Sequence, residues 1–178
     1  MNESNPTTPG GSRWLESSRN LIGLFAVAFA ICALLPPIAQ AQEALKNGEQ
    51  VMVKGNSGKW LSWYKGNWVI ASTVTTPGDE GIWTVTNLKK LAGGGNKFNL
   101  VNKKSGTPMD GDNDNSVVLD DTDHTWWQTD SEIVLATSSY KIFNEYWGGE
   151  YALQIKSGNP DDVVLRDDAS TKWTFTKP

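Results

Sequence analysis

The chain has 178 residues, with 16 Lys and Arg against 20 Asp and Glu, and a formal charge of −4. That length holds one domain after any leader and hardly two. The acidic balance argues against a nucleic-acid partner, because phosphates call for a basic surface.

Residues 1–20 are polar, with Arg13 and Arg19 as their only bases, and Leu21–Leu35 is an unbroken apolar run. Pro36 and Pro37 stop any helix there, and Ala39-Gln40-Ala41 supplies small residues at a cleavage spacing. The run is shorter than the roughly 20 residues of a bilayer span. It therefore reads as a signal peptide over 1–41, cut after Ala41, giving a secreted or extracytoplasmic chain with no membrane insertion once the segment is removed. The polar head is longer than usual, which keeps an uncleaved anchor open as the alternative. Glu3 and Glu16 cancel Arg13 and Arg19, so the acidity belongs to the mature part. The single cysteine, Cys32, falls inside the removed segment. An exported domain of this size is thus expected to hold together without a disulfide. Eight of the nine tryptophans lie beyond residue 41 and can supply the packing.

No part of 42–178 has a long helical period. Short runs rich in Val, Ile, Trp, Tyr and Thr are broken by Gly, Asn, Asp and Pro, the pattern of many strands joined by tight turns. Strands are expected at Gln50–Val53, Trp68–Ser72, Lys97–Val101, Val117–Leu119, Glu132–Ala136 and Val163–Leu165. These runs fall into three similar segments, about 48–90, 97–136 and 140–178. Each opens on a strand around Val53, Leu100 or Ile142 and turns at Gly58, Gly106 or Gly149. Each continues with strands at Leu61, Met109 or Leu153 and at Val69-Ile70, Val118-Leu119 or Val164-Leu165. Each closes on Trp83, Trp127 or Trp173, spaced 127 − 83 = 44 and 173 − 127 = 46 residues apart. One four-stranded unit cannot bury its own apolar face, whereas three around an axis share a core and leave few free edges. Leu91–Asn96 and Ala136–Ser139 read as connectors between the segments, the first of them flexible.

An opening hydrophobic strand, a Ser-Gly turn and a closing Trp, repeated three times over Gly48 to Phe175, resemble a β-trefoil, and within it the ricin-B-type lectins. That resemblance implies an all-β fold and a non-catalytic carbohydrate-binding function. The family ends each repeat in Gln-x-Trp, but here the triplets are Gly81-Ile82-Trp83, Thr125-Trp126-Trp127 and Thr171-Lys172-Trp173. All three tryptophans are present and all three glutamines are missing. The family's sugar-binding Asp, early in each repeat, maps to Asp110, with Ser62 and Gln154 at the matching positions. A carboxylate suits the role because it accepts two hydroxyl donors at once, and Trp126 is the nearest ring for stacking. The bland alternative makes Asp110 a turn residue before Gly111.

Two aromatic groups stand apart from that motif. Trp60, Trp63, Tyr64 and Trp68 crowd into nine residues, too many for one strand face to bury. Tyr146 and Trp147 fall in a turn before Gly148-Gly149. Trp63, Trp68, Tyr146 and Trp147 are therefore candidate ligand-facing rings, and capping of the barrel is the alternative use. Asp110, Asp112 and Asp114 alternate as calcium ligands do, with Asp121 eleven residues after Asp110. However, Asn115 stands where such a loop needs Gly, and a solvated hairpin tip explains the run as well. No other cofactor is indicated.

Catalysis finds little support. His124 is the only histidine and lies near no nucleophile-elbow motif, and zinc would lack its usual ligands. The expected partners are glycans or glycoproteins at up to three shallow sites. The rivals are a protein-binding trefoil, such as a protease inhibitor or toxin subunit, and a glycosidase needing a paired-carboxylate cleft.

Overall fold

The computed structural model describes residues 42–178 apart from Asp123 and Asn159. The signal-peptide reading falls on 1–41 and lies outside the described residues. Gln42–Pro178 is a compact unit in its own right.

Twelve strands recur as three sets of four. The first set is β1 (Gln50–Gly55), β2 (Trp60–Trp63), β3 (Val69–Ser72) and β4 (Trp83–Lys90). The second is β5 (Asn96–Asn102), β6 (Met109–Gly111), β7 (Val117–Leu119) and β8 (Trp127–Thr129). The third is β9 (Ile142–Asn144), β10 (Ala152–Lys156), β11 (Asp161–Arg166) and β12 (Trp173–Thr176). A one-turn 3₁₀ segment, Asp79–Gly81, is the sole helical piece among the described residues.

The first and last strands of each set close into a six-stranded ring. β1 pairs with β4, β4 with β5, β5 with β8 and β8 with β9, while β12 pairs with β1. The bridge Tyr140↔Trp173 completes the circuit. Closure removes the free edges that an open sheet of this size would carry. The middle strands form hairpins β2–β3, β6–β7 and β10–β11, which meet one another at one end of the ring. Their contacts follow a three-fold rule: Asp162↔Ile70, Trp68↔Val118 and Ser116↔Val164 occupy matching positions.

Alternation explains the core. In β1 the burial alternates, with Val51 and Val53 inside; in β11 Val163 and Leu165 do the same. Leu61, Met109 and Leu153 point inward from the hairpins and are fully buried, as are Trp83, Trp127 and Trp173. Each closing indole donates its Nε1–H to a hairpin carbonyl: Trp83 to Leu61 at 3.0 Å, Trp127 to Met109 at 2.9 Å and Trp173 to Leu153 at 3.1 Å. The repeated tryptophan thus does two things. It fills the core, with burial of ~4–6 kcal/mol per ring from its area, and it ties each hairpin to the ring by a satisfied buried donor.

One expectation changes. Glu132–Ala136 does not form a strand. Its pairing stops at the single bridge Ala44↔Val134, where Leu135 N–H donates to the Glu43 carbonyl, while Ile133 N–H goes to the Asn96 side chain and Val134 N–H to the Tyr140 hydroxyl. A β-rich composition cannot reveal that side chains will compete for the ladder. Leu91–Asn96 does join the first two sets, and its form is now defined. Leu91 N–H donates to Gly95 O at 2.8 Å and Gly94 N–H to Leu91 O at 3.0 Å, so it is the tight turn between β4 and β5.

Candidate ligand-binding site

Ser62, Asp110 and Gln154 occupy one equivalent position, each directly after the residue whose carbonyl receives a closing indole. All three are directed at the loop that precedes the closing tryptophan, and each tethers or touches it. Asp110 is 2% exposed. One of its oxygens accepts the Gly111 N–H at 2.8 Å and the other accepts the Thr122 hydroxyl. Burial pushes its pKa above the usual 3.8, against the opposing pull of the Thr122 and Gly111 hydrogen bonds. Gln154 Oε1 accepts the N–H groups of Ser170 at 2.8 Å and Thr171 at 3.0 Å. Ser62, also buried, lies under Gly81. Asp110 and Gln154 thus tie their loops by hydrogen bonds, whereas Ser62 Oγ is buried without a partner. Gln154 is half-buried and also lines a concavity of about 280 Å³ with Lys156, Arg166, Asp168 and Ser170.

The missing glutamines have local causes. A Cβ at Gly81 would meet Pro77 Cβ at 2.3 Å, so no side chain fits there. Thr171 is buried and its hydroxyl accepts the Ile155 N–H at 3.2 Å. Thr125 is held by Asn99, whose Nδ2 donates to its carbonyl at 2.7 Å.

The candidate rings divide in the same way. Trp126 lies beneath two ammonium groups, Lys97 at 4.4 Å and Lys89 at 5.2 Å from the ring centre, close enough for cation–π attraction. Lys97 is also held by Glu145 at 2.7 Å. Trp63 is half-buried, donates to Gly66 O at 2.8 Å and carries Lys104 at 5.3 Å. Trp147 packs against the core and against Tyr151, with ring centres 5.5 Å apart. Tyr146 is exposed and stacks on His124 at 3.5 Å. Trp68 is 51% exposed and Tyr64 42%.

Tyr64 and Trp68 face each other across the turn of the β2–β3 hairpin, where Tyr64 N–H donates to Trp68 O at 2.9 Å. Together with Lys65, Ile70, Pro160 and Asp162 they line a concavity of about 330 Å³ on the hairpin end of the barrel. Lys65 Nζ stands 5.5 Å over the Tyr64 ring. Pro160 and Asp162 come from the third repeat, 92 or more positions away in the chain (160 − 68 = 92). Sequence reasoning reached Trp68 but not Pro160, Asp162, Lys65 or Tyr64 as one site. The signal was the matching register of the repeats, which places Asp162 beside Ile70.

The acidic run does not converge on a cation. Asp110 points inward to Thr122, whereas Asp112 accepts from Asn113 N–H at 2.6 Å and Asp114 from Ser116 N–H at 2.9 Å. Among the described residues no three acidic, His or Cys side chains gather as a metal site. In one continuous strand the three carboxylates would share a face, but β6 ends at Gly111 and the turn closed by Asn115 N–H on Asp112 O carries the later two away. Asn115 takes the left-handed φ of 67° that the turn requires.

No family model matches the chain, and no curated protein matches it. Solved structures do. A Caenorhabditis elegans protein of unknown function superposes with a TM-score of 0.66 at 14% identity, over 78% of this chain and 99% of that one. The Polyporus squamosus lectin bound to a human-type influenza-binding epitope gives 0.57 at 17% identity, over 75% of this chain, which spans 50% of the lectin. The BEL β-trefoil gives 0.50 at 16% identity, over 75% of this chain and 95% of that one. Likeness at these identities supports the β-trefoil fold and does not single out the ricin-B-type lectins.

Proposed function

We propose that this chain is an exported, lectin-like module that binds glycans without carrying out chemistry on them. The observation that carries the reading is the pair Tyr64 and Trp68. The fold buries every closing tryptophan completely, yet leaves these two rings half-exposed over a shallow concavity that also holds a carboxylate. Flat rings pack against the C–H face of a pyranose, and a carboxylate accepts two of its hydroxyls. The inherited Asp110 position is occupied internally, so the reading rests on loop rings rather than on the family's motif. Lectins among the solved structures of this fold support the ligand class.

Export is part of the proposal and rests on the apolar run Leu21–Leu35 with its small-residue site. Amino-terminal sequencing of the secreted product should read from Gln42. The binding reading is tested by glycan-array screening of the purified chain. Specific retention of one glycan group is expected, and a folded chain that retains none would sink the reading.

A further inference from the structure

The three repeats make the hairpin end look three-fold, but among its three corners one alone sets two aromatic rings of a hairpin over a concavity. Tyr64 corresponds in register to Asp112 and Lys156, and Trp68 to Ser116 and Asp162. The second corner therefore presents a carboxylate and a hydroxyl, and the third an ammonium beside a carboxylate. The first alone presents two aromatic rings, and the third repeat adds Pro160 and Asp162 to it. Beside it lies a second concavity of about 260 Å³, lined by Ser72, Thr73, Gly158 and Asp161 and sharing Ile70 and Pro160 with the first.

Resting on the glycan reading above, we infer that this corner is the single glycan site, and that it takes a neutral saccharide of at least two linked rings. The charges decide the class. Asp162 is one carboxylate and Lys65 one ammonium, while Asp161 is already engaged by Lys59. The pair carries no net charge, so nothing in the pocket favours an acidic sugar over a neutral one. The apolar rings of Trp68 and Tyr64 seat one pyranose by its C–H face. Ile70 and Pro160 form the saddle over which a second ring reaches the hydroxyls of Ser72 and Thr73. The third corner has a concavity of its own, about 280 Å³, but Gln154, Lys156, Arg166 and Asp168 line it and no aromatic ring does, so a pyranose finds no stacking face there. At the second corner Asp112 and Ser116 stand where the first has its two rings.

The test is calorimetric titration of the wild-type chain, Trp68→Ala and Asp162→Asn with neutral mono- and disaccharides and with choline chloride. Trp68 is half-exposed and touches the fold at its edge, so its removal leaves the barrel intact, which unchanged near-ultraviolet dichroism would verify. We expect one site per chain, tighter binding of a disaccharide than of its monosaccharides, and a loss of roughly tenfold or more in Trp68→Ala. Glycan binding at three sites per chain, or binding unchanged in both variants, would overturn the site while leaving the glycan reading standing. Binding of choline and of no sugar would overturn the ligand class. Absence of any glycan binding by the wild-type chain would instead overturn the glycan reading itself.

Discussion

At the scale of single residues, one side chain can look functional and serve structure. Asp110 was the natural candidate for a sugar acceptor, but both its oxygens are spent on Gly111 and Thr122, and it is buried. Its burial has a consequence for pH. A carboxyl whose folded pKa is raised is held more tightly in its protonated form by the folded chain. Its contribution to stability is complete below the usual 3.8 and is lost as pH rises through the raised folded value. Asn at 110 keeps an acceptor for Gly111 and carries no charge. Asp110→Asn should therefore gain on the wild type as pH rises. Urea unfolding at about pH 3 and pH 7 measures this, and a difference independent of pH would contradict it.

At the scale of elements, glycines report which turns are constrained by backbone angle and which by neighbours. Gly58, in the β1–β2 turn, has φ of +86° and open space where a Cβ would go. Gly58→Ala should cost about 1–2 kcal/mol, through the left-handed conformation alone. Gly95 is the opposite case. A Cβ there would lie 2.0 Å from the backbone oxygen of Thr129, which cannot swing aside as a side chain can. Gly95→Ala should cost more than Gly58→Ala and should loosen the junction of β5 with β8 first. Denaturant melts give the order of the two, and hydrogen exchange at Phe98 and Trp127 gives the location.

The repeats also show how far local pattern reached at this scale. The strands around Val53, Leu100 and Ile142, the hairpin strands and the closing tryptophans could all be read from alternation and turn residues, because each depends on its own neighbours in sequence. The failure at Glu132–Ala136 came from Asn96 and Tyr140, which lie outside the segment and take its donors with their side chains.

At the scale of the whole molecule, the start and end of the described chain are joined by charge. Glu43 receives Lys177 at 2.6 Å and Lys46 at 2.8 Å, and Lys177 also reaches Glu49 at 3.2 Å. The Lys177 and Lys46 bonds bring the Glu43 pKa from 4.5 to about 2. Here the sign is the reverse of that for Asp110. The stabilisation is present above 4.5 and is lost as pH falls towards about 2. Glu43, Lys46 and Lys177 are largely exposed, so salt screens them. Glu43→Gln should flatten the acid limb of a stability profile between those values, and about 0.5 M NaCl should reduce the contrast with wild type. An unchanged acid limb would show that the cluster contributes nothing to folding.

What the sequence determined by itself was everything that repeats. Period-two alternation, glycine turns and a tryptophan every 44 or 46 residues specify a strand set that cannot bury its face alone, and hence a three-part barrel. Tertiary structure decided what breaks the symmetry. Whether Asp110 meets solvent or Thr122, whether Trp126 is open or lies under two lysines, and whether Trp68 has Asp162 beside it all depend on residues from other strands or other repeats. Burial and charge pairing across such distances leave no mark on local composition. The closing tryptophans are alike because a shared core demands it, and the corner at Trp68 is unlike the others because nothing in the core constrains it.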